Sequence, residues 1–131
     1  MKEDINNRAA IEQLIHCFYT KAIQDPLIGH FFIKVVQLDW EAHIPVICDF
    51  WETVLLDKIV YKGNPIVKHI DLDRKATLQQ VHFERWVELF EETVNELFEG
   101  EKAEEAKKRA QLMSQLMFYK VEKSRDAKFI Q

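Results

Sequence analysis

The chain has 131 residues, the size of one compact domain. Hydrophobic residues make up 47% and charged residues 31%, a globular balance that excludes global disorder. Its 18 basic residues stand against 22 acidic ones for a net charge of -4; the cations are dispersed, which argues against a nucleic-acid partner.

Apolar residues recur at helical spacing in four long stretches, with Asn7, Asp39 and Thr77 placed to cap the first three. The first runs from about Arg8 to Gln24, with Ile11, Ile15, Phe18 and Ala22 on one face and Tyr19 beside them. Asp25-Pro26 ends it, because the residue before a proline disfavours helical dihedrals. The connector Leu27-Ile28-Gly29-His30-Phe31-Phe32 is too apolar to be left in water and is expected to fold over the core.

The second stretch, about Trp40 to Leu56, aligns His43, Ile47, Phe50 and Val54. Proline is tolerated mainly in a first turn, so regular helix is expected to start near Pro45, with His43 at its mouth. The third, about Leu78 to Phe98, carries the stripe Phe83, Trp86, Val87, Phe90, Val94 and Leu97, and Thr77-Leu78-Gln79-Gln80 has capping-box form. The fourth, about Lys102 to Glu122, carries Ala106, Ala110, Met113, Leu116 and Met117, and residues 124–131 read as a frayed tail.

Between the second and third helices, Asp57 to Ala76 show little periodicity, a long connection for so small a domain and hence a functional one. Within it, Asn64-Pro65 can start one short turn that places Ile66, His69 and Ile70 on a common inward face. Three glycines and three prolines are too few for the turns of an all-β meander, which leaves an all-α domain. No apolar run is long enough to span a bilayer, and Met1-Lys2-Glu3-Asp4-Ile5-Asn6-Asn7 lack a signal peptide's apolar core. The expectation is a cytoplasmic protein with no membrane partner. Cys17 and Cys48 match no disulfide framework or paired metal-ligand spacing and read as reduced packing residues.

Four polar-tipped side chains fall on faces that should be buried: Tyr19, His43, His69 and Trp86. A lone histidine or tryptophan on an apolar face is ordinarily satisfied core. One pocket holding a metal cofactor and a polar ligand would satisfy all four together. Spacing removes competing chemistries. The residues three before the five histidines are Gln13, Leu27, Trp40, Ile66 and Gln79, so the Glu-x-x-His pairs of a di-iron bundle are absent. His-Glu-x-x-His, Cys-x-x-Cys-His, a Gly-rich phosphate loop and a Gly-x-Ser-x-Gly elbow are also missing. An inward histidine across from a polar-tipped pocket suits a non-covalently held haem.

These residues resemble the truncated haemoglobins, specifically their third group. The resemblance rests on Phe18-Tyr19, then Asp25-Pro26-Leu27-Ile28-Gly29-His30-Phe31-Phe32, then Trp40-Glu41-Ala42-His43-Ile44-Pro45 with Phe50-Trp51. It continues through Gly63-Asn64-Pro65, Lys68-His69-Ile70-Asp71-Leu72 and His82-Phe83-Glu84-Arg85-Trp86, covering about residues 8 to 120. The paired loop glycines of the first two groups are missing, and histidine followed by Ile-Pro is like the third. The resemblance implies a shortened helical sandwich of two crossing antiparallel helix pairs, with the iron ligand on a long loop. It implies His69 as the proximal iron ligand, Tyr19, His43 and Trp86 as the distal pocket, and Phe31, Phe32, Ile47, Phe50, Leu72 and Phe83 as apolar haem contacts. Lys68 and Arg85 are placed for the haem propionates; His16, His30 and His82 have no such match.

The implied cofactor is haem b, and the implied ligands are O2, NO and CO at ferrous iron. Two strong donors in a dry pocket imply slow oxygen release, hence NO, peroxide or other redox chemistry, such as NO dioxygenase or peroxidase-like turnover with a reductase, rather than bulk transport. A monomer is expected. From a different class stands a haem-free helical bundle acting as an interaction module, with these side chains as plain core; a single-domain gas sensor is a third reading. A visible absorption spectrum separates the first two.

Overall fold

The structure, a computed structural model, describes residues 2–35, 39–61 and 63–125. Among these residues the chain forms five α-helices: α1 (Arg8–Gln24), α2 (Trp40–Leu56), α3 (Pro65–Lys75), α4 (Gln80–Leu97) and α5 (Glu101–Ser124). A π-helical segment, Phe31–Val35, precedes α2. There is no strand among the described residues, only a single bridge between Glu3 and Phe98.

Local chemistry explains the helix ends. The Asn7 side chain accepts from the Ala10 amide, and α1 stops at Asp25, whose backbone is extended ahead of Pro26. Asp39 stands at the N-cap of α2 with no side-chain cap bond. Helix α2 begins at Trp40 and keeps Pro45 in its second turn, where helix near Pro45 was expected to begin. Proline gives up one backbone bond there, and the Arg8 guanidinium donates to its carbonyl at 3.3 Å. The cap of α4 is Gln79, not Thr77: its amide donates to His82 Nδ1 at 2.9 Å, and its side chain accepts from the His82 amide. At Gly100 the backbone has φ +141°, and a Cβ would lie 2.5 Å from the Asp4 carboxyl carbon. That close approach lets Asp4 accept from the Lys102 and Ala103 amides and cap α5.

The two helix pairs follow from side-chain partners. Arg8 reaches Asp49 and Glu52 while Tyr19 meets Trp40 and His43, so α1 and α2 run antiparallel. Lys107 bonds Asn95 and Gln111 bonds Glu91, so α4 and α5 do too. The pairs join through Phe18, edge-on to Phe90 and Trp86, and through Lys21, paired with Glu92 and Glu96. Phe90 is itself stacked between Trp51 and Trp86, at 4.8 and 5.3 Å. Ile11, Leu14, Ile15, Phe18, Ala22, Phe90, Val94, Ala106, Ala110 and Val121 form the sealed centre.

Three further expectations change. The connector between the second and third predicted helices contains an eleven-residue helix, α3, where one turn was expected, so His69 stands on a helix and not on a loop. Leu116 is exposed; Met117 faces the core as expected, joined by Ser114 and Val121. Of the expected frayed tail, Ser124 is buried at the end of α5 and Arg125 is anchored to Asp73; residues 126–131 lie outside the described ones.

Candidate functional site

Helix α3 presents His69. The Asn64 carboxamide oxygen accepts from the Ile66 and Val67 amides, and Pro65 takes a first-turn position where no amide hydrogen is needed. One turn later His69 Nδ1 meets the Pro65 carbonyl oxygen at 2.6 Å. That oxygen can only accept, so Nδ1 carries the proton and Nε2 keeps its lone pair. Burial holds the imidazole below the ordinary histidine pKa against the opposing pull of the carbonyl. The ring is therefore a neutral, oriented ligand, 6.3 Å from the Phe83 ring.

Across from it stand the polar tips of α1 and α2. Tyr19 is buried with its ring near Phe32 at 5.5 Å, Trp40 at 5.2 Å and His43 at 6.4 Å. Its hydroxyl has no hydrogen-bond partner among the described residues, and burial pushes its pKa well up, so it is a neutral donor. His43 is half-buried; burial and then the Lys68 charge hold its pKa down, which places it within electrostatic reach of α3. A cleft of about 250 Å³, lined by His16, Tyr19, Thr20, Ile23, Trp40, Glu41 and Ile44, opens beside Tyr19. A larger, open depression of about 470 Å³ at the start of α5 is lined by Glu99, Gly100, Glu101, Glu104, Glu105 and Lys108 and contains none of these groups.

Trp86 and Tyr19 each lie edge-on to Phe18, at 5.4 and 4.9 Å, and Trp86 is stacked flat on Phe90. The adjacent phenylalanines also divide: Phe32 turns to Tyr19 and Trp40, while Phe31 packs between His30 and His82. Phe50 meets Trp51 and Tyr61, and Ile47 and Leu72 are half-buried. Lys68 is exposed. Arg85 spends its guanidinium on Asp25 at 2.8 Å and Glu88 at 3.3 Å. The other Asp25 oxygen accepts from the Leu27 and Ile28 amides, and these bonds outweigh burial and hold the carboxyl below its usual range. Sequence reasoning missed Trp40, one turn before His43 on the same helix face, although its spacing signalled it. It also missed Asp73 and Arg125, which no local pattern links.

The core face of α2 is Ile44, Cys48, Trp51 and Leu55. The expected stripe of His43, Ile47, Phe50 and Val54 is only half covered, as are Ile66, His69, Ile70 and Leu72 on α3. Two partly covered apolar faces, one bearing an oriented imidazole and the other under polar-tipped aromatic side chains, make the framework of a globin. No family model matches the chain. It is 33% identical over 126 residues to the group 3 truncated hemoglobin ctb of Campylobacter jejuni, an alignment covering 92% of this chain and 97% of that protein. The fold also matches the crystal structure of the group III truncated hemoglobin from Campylobacter jejuni, with a TM-score of 0.79 and 31% identity over 92% of this chain and 95% of that one. The chain belongs to the group III truncated haemoglobins.

That family implies a haem, and the residues present fit one. The imidazole offers the correct nitrogen, and the half-covered faces supply apolar surface that a planar ring system would finish burying.

Proposed function

We propose that the protein holds a b-type haem through His69 Nε2 and serves as a binding site for O2, NO and CO, with redox chemistry of NO or peroxide as its use. When bound, the haem supplies ferrous iron, the atom that takes a diatomic ligand and exchanges electrons. The observation that carries the reading is the 2.6 Å contact between His69 Nδ1 and the Pro65 carbonyl, which fixes the tautomer and aims the free nitrogen.

The remaining roles belong to the chain. Phe32, Phe50 and Phe83 exclude water and lower the local dielectric, so that a donor there acts more strongly than in water. Tyr19, with its hydroxyl uncommitted among the described residues, is the principal donor to a ligand bearing partial negative charge, and Trp86 Nε1 is the second. His43, half-buried at the start of α2, guards the approach. Strong donation slows oxygen release, which favours turnover, with electrons from a reductase, over bulk transport. Lys68, exposed next to His69 and without an ion-pair partner among the described residues, is placed to meet a haem propionate, whereas Arg85 must share itself with Asp25.

The test is the absorption spectrum of protein produced with ample haem. A Soret band that is lost in His69→Ala supports the reading. No band in the wild-type protein returns the site to packed core.

A further inference from the structure

Helix α3 has one buried residue, and it is a carboxylate. Its apolar residues Ile66, Ile70 and Leu72 are only half covered, whereas Asp73, one turn beyond His69, is 9% exposed. Asp73 Oδ2 accepts from Arg125 Nε at 3.0 Å, and Oδ1 accepts from Arg125 Nη2 at 2.7 Å and from the Leu78 amide at 2.8 Å. Arg125 Nη2 also donates to the Leu78 carbonyl at 2.7 Å. The fork of Arg125, at the end of α5, thus grips both the last turn of α3 and the segment leading into α4. A bidentate guanidinium–carboxylate pair restrains orientation as well as distance, which a half-covered apolar face does not.

We propose that Asp73 and Arg125, with the Leu78 backbone, are positioning residues for the iron ligand: they fix α3 lengthwise against α5, and so set how His69 Nε2 meets the haem. Sliding or tilting α3 moves Asp73 and His69 together, since they lie one turn apart on the same helix. The inference rests on the haem reading above and adds a determinant that lies outside the haem pocket.

The experiment compares wild-type holoprotein with Arg125→Met, Arg125→Lys, Asp73→Asn, and the double variant of Asp73→Asn with Arg125→Met. It reads the iron–histidine stretching band of the ferrous, unliganded protein by resonance Raman, and the rate of haem transfer to excess apomyoglobin. Arg125→Met should shift or broaden the band and speed haem loss by about tenfold or more, the usual scale for losing a residue that orients a metal ligand. Arg125→Lys, which keeps the charge but not the fork, should fall between. The double variant should be no worse than the worse single one, because both remove the same interaction. An unchanged band, with haem loss within about twofold in a variant whose melting temperature has dropped, reduces the pair to a stability contact and overturns the proposal. If Arg125→Met does not fold, an unchanged band in Arg125→Lys does the same. A wild-type protein that takes up no haem removes the haem reading first and this inference with it.

Discussion

Helices α3 and α4 lie next to each other in the chain and are built in opposite ways. Along α4, Phe83, Leu89, Phe90, Thr93 and Val94 are buried, and Phe90 is clasped between two tryptophans. Along α3 only Asp73 is buried, and the apolar side chains stop halfway. The first helix obtains its stability from the protein alone. The second is tied down at its ends, by the Asn64 cap and the Arg125 fork, while its middle waits for apolar surface from elsewhere. The candidate ligand is carried on the element the protein leaves least finished, so occupancy and order there should rise together.

The sharpest way to break this contrast is His69→Ala. It should abolish retention of haem through gel filtration while leaving the helical circular dichroism of the α1, α4 and α5 framework largely intact. In the parent protein, haem should raise amide-exchange protection in α3 far more than in α4. Equal gains in the two helices would mean α3 is already finished without it.

Next in size is the core itself. Phe90→Ala should cost about 3–5 kcal/mol of unfolding free energy in urea titrations, as expected for an aromatic side chain removed from a sealed site. Ile70→Ala in haem-free protein should cost clearly less, because Ile70 is only half covered there. The order should narrow once haem is present.

On the ligand side, Tyr19→Phe should speed oxygen release by roughly ten- to a hundredfold, the equivalent of one hydrogen bond to a partly charged acceptor. Carbon monoxide release, measured in the same stopped-flow series, should hardly move. Trp86→Phe should have the smaller effect of the two, since that ring is stacked flat on Phe90.

The smallest effect concerns pH. His82 closes the cap of α4 by accepting through Nδ1, which requires the neutral ring. Burial, then the charge at His30, holds its pKa below the ordinary 6.5. Its contribution is therefore fully present above the unfolded pKa and is lost as pH falls through the lower folded value. The melting temperature should decline from about pH 7 to pH 5, and His82→Gln, which accepts without titrating, should flatten that decline.

The readable parts of the fold were those decided by neighbours in sequence. Asn7 and Asp25-Pro26 give both ends of α1 to the residue, because a cap and a pre-proline restriction act over one to three positions. Asn64-Pro65 gives the start of α3 but not its length. The helix continues through Lys68, Asp71, Asp73, Arg74 and Lys75, and such charged residues leave no apolar stripe to count. The cap of α4 was misplaced by two residues because its reciprocal partner is a histidine, not the usual Glu or Gln. Asp73 with Arg125 was out of reach altogether: the partners lie 52 positions apart, and neither carries a local signature. At the site, family motifs pointed to Tyr19, His43 and His69 as candidates. The edge-on contact of Trp86 with Phe18 had no such signal, since it depends on how α1 crosses α4.

The Asp4 cap on α5 bears on the order in which the protein takes shape during synthesis. Ile5 is fully buried, the Glu99 amide donates to the Glu3 carbonyl, and Asp4 reaches the Lys102 and Ala103 amides, the latter 99 positions away. A ribosome releases Asp4 early and Ala103 late. Residues 3–5 must therefore wait, unpaired, until residues 99–103 have emerged, and α5 begins without its cap unless they are still free to reach it. A segment made early thus finds its place only once one made much later has appeared, so a nascent chain stalled before residue 102 would lack this closure even with α1 and α4 already folded.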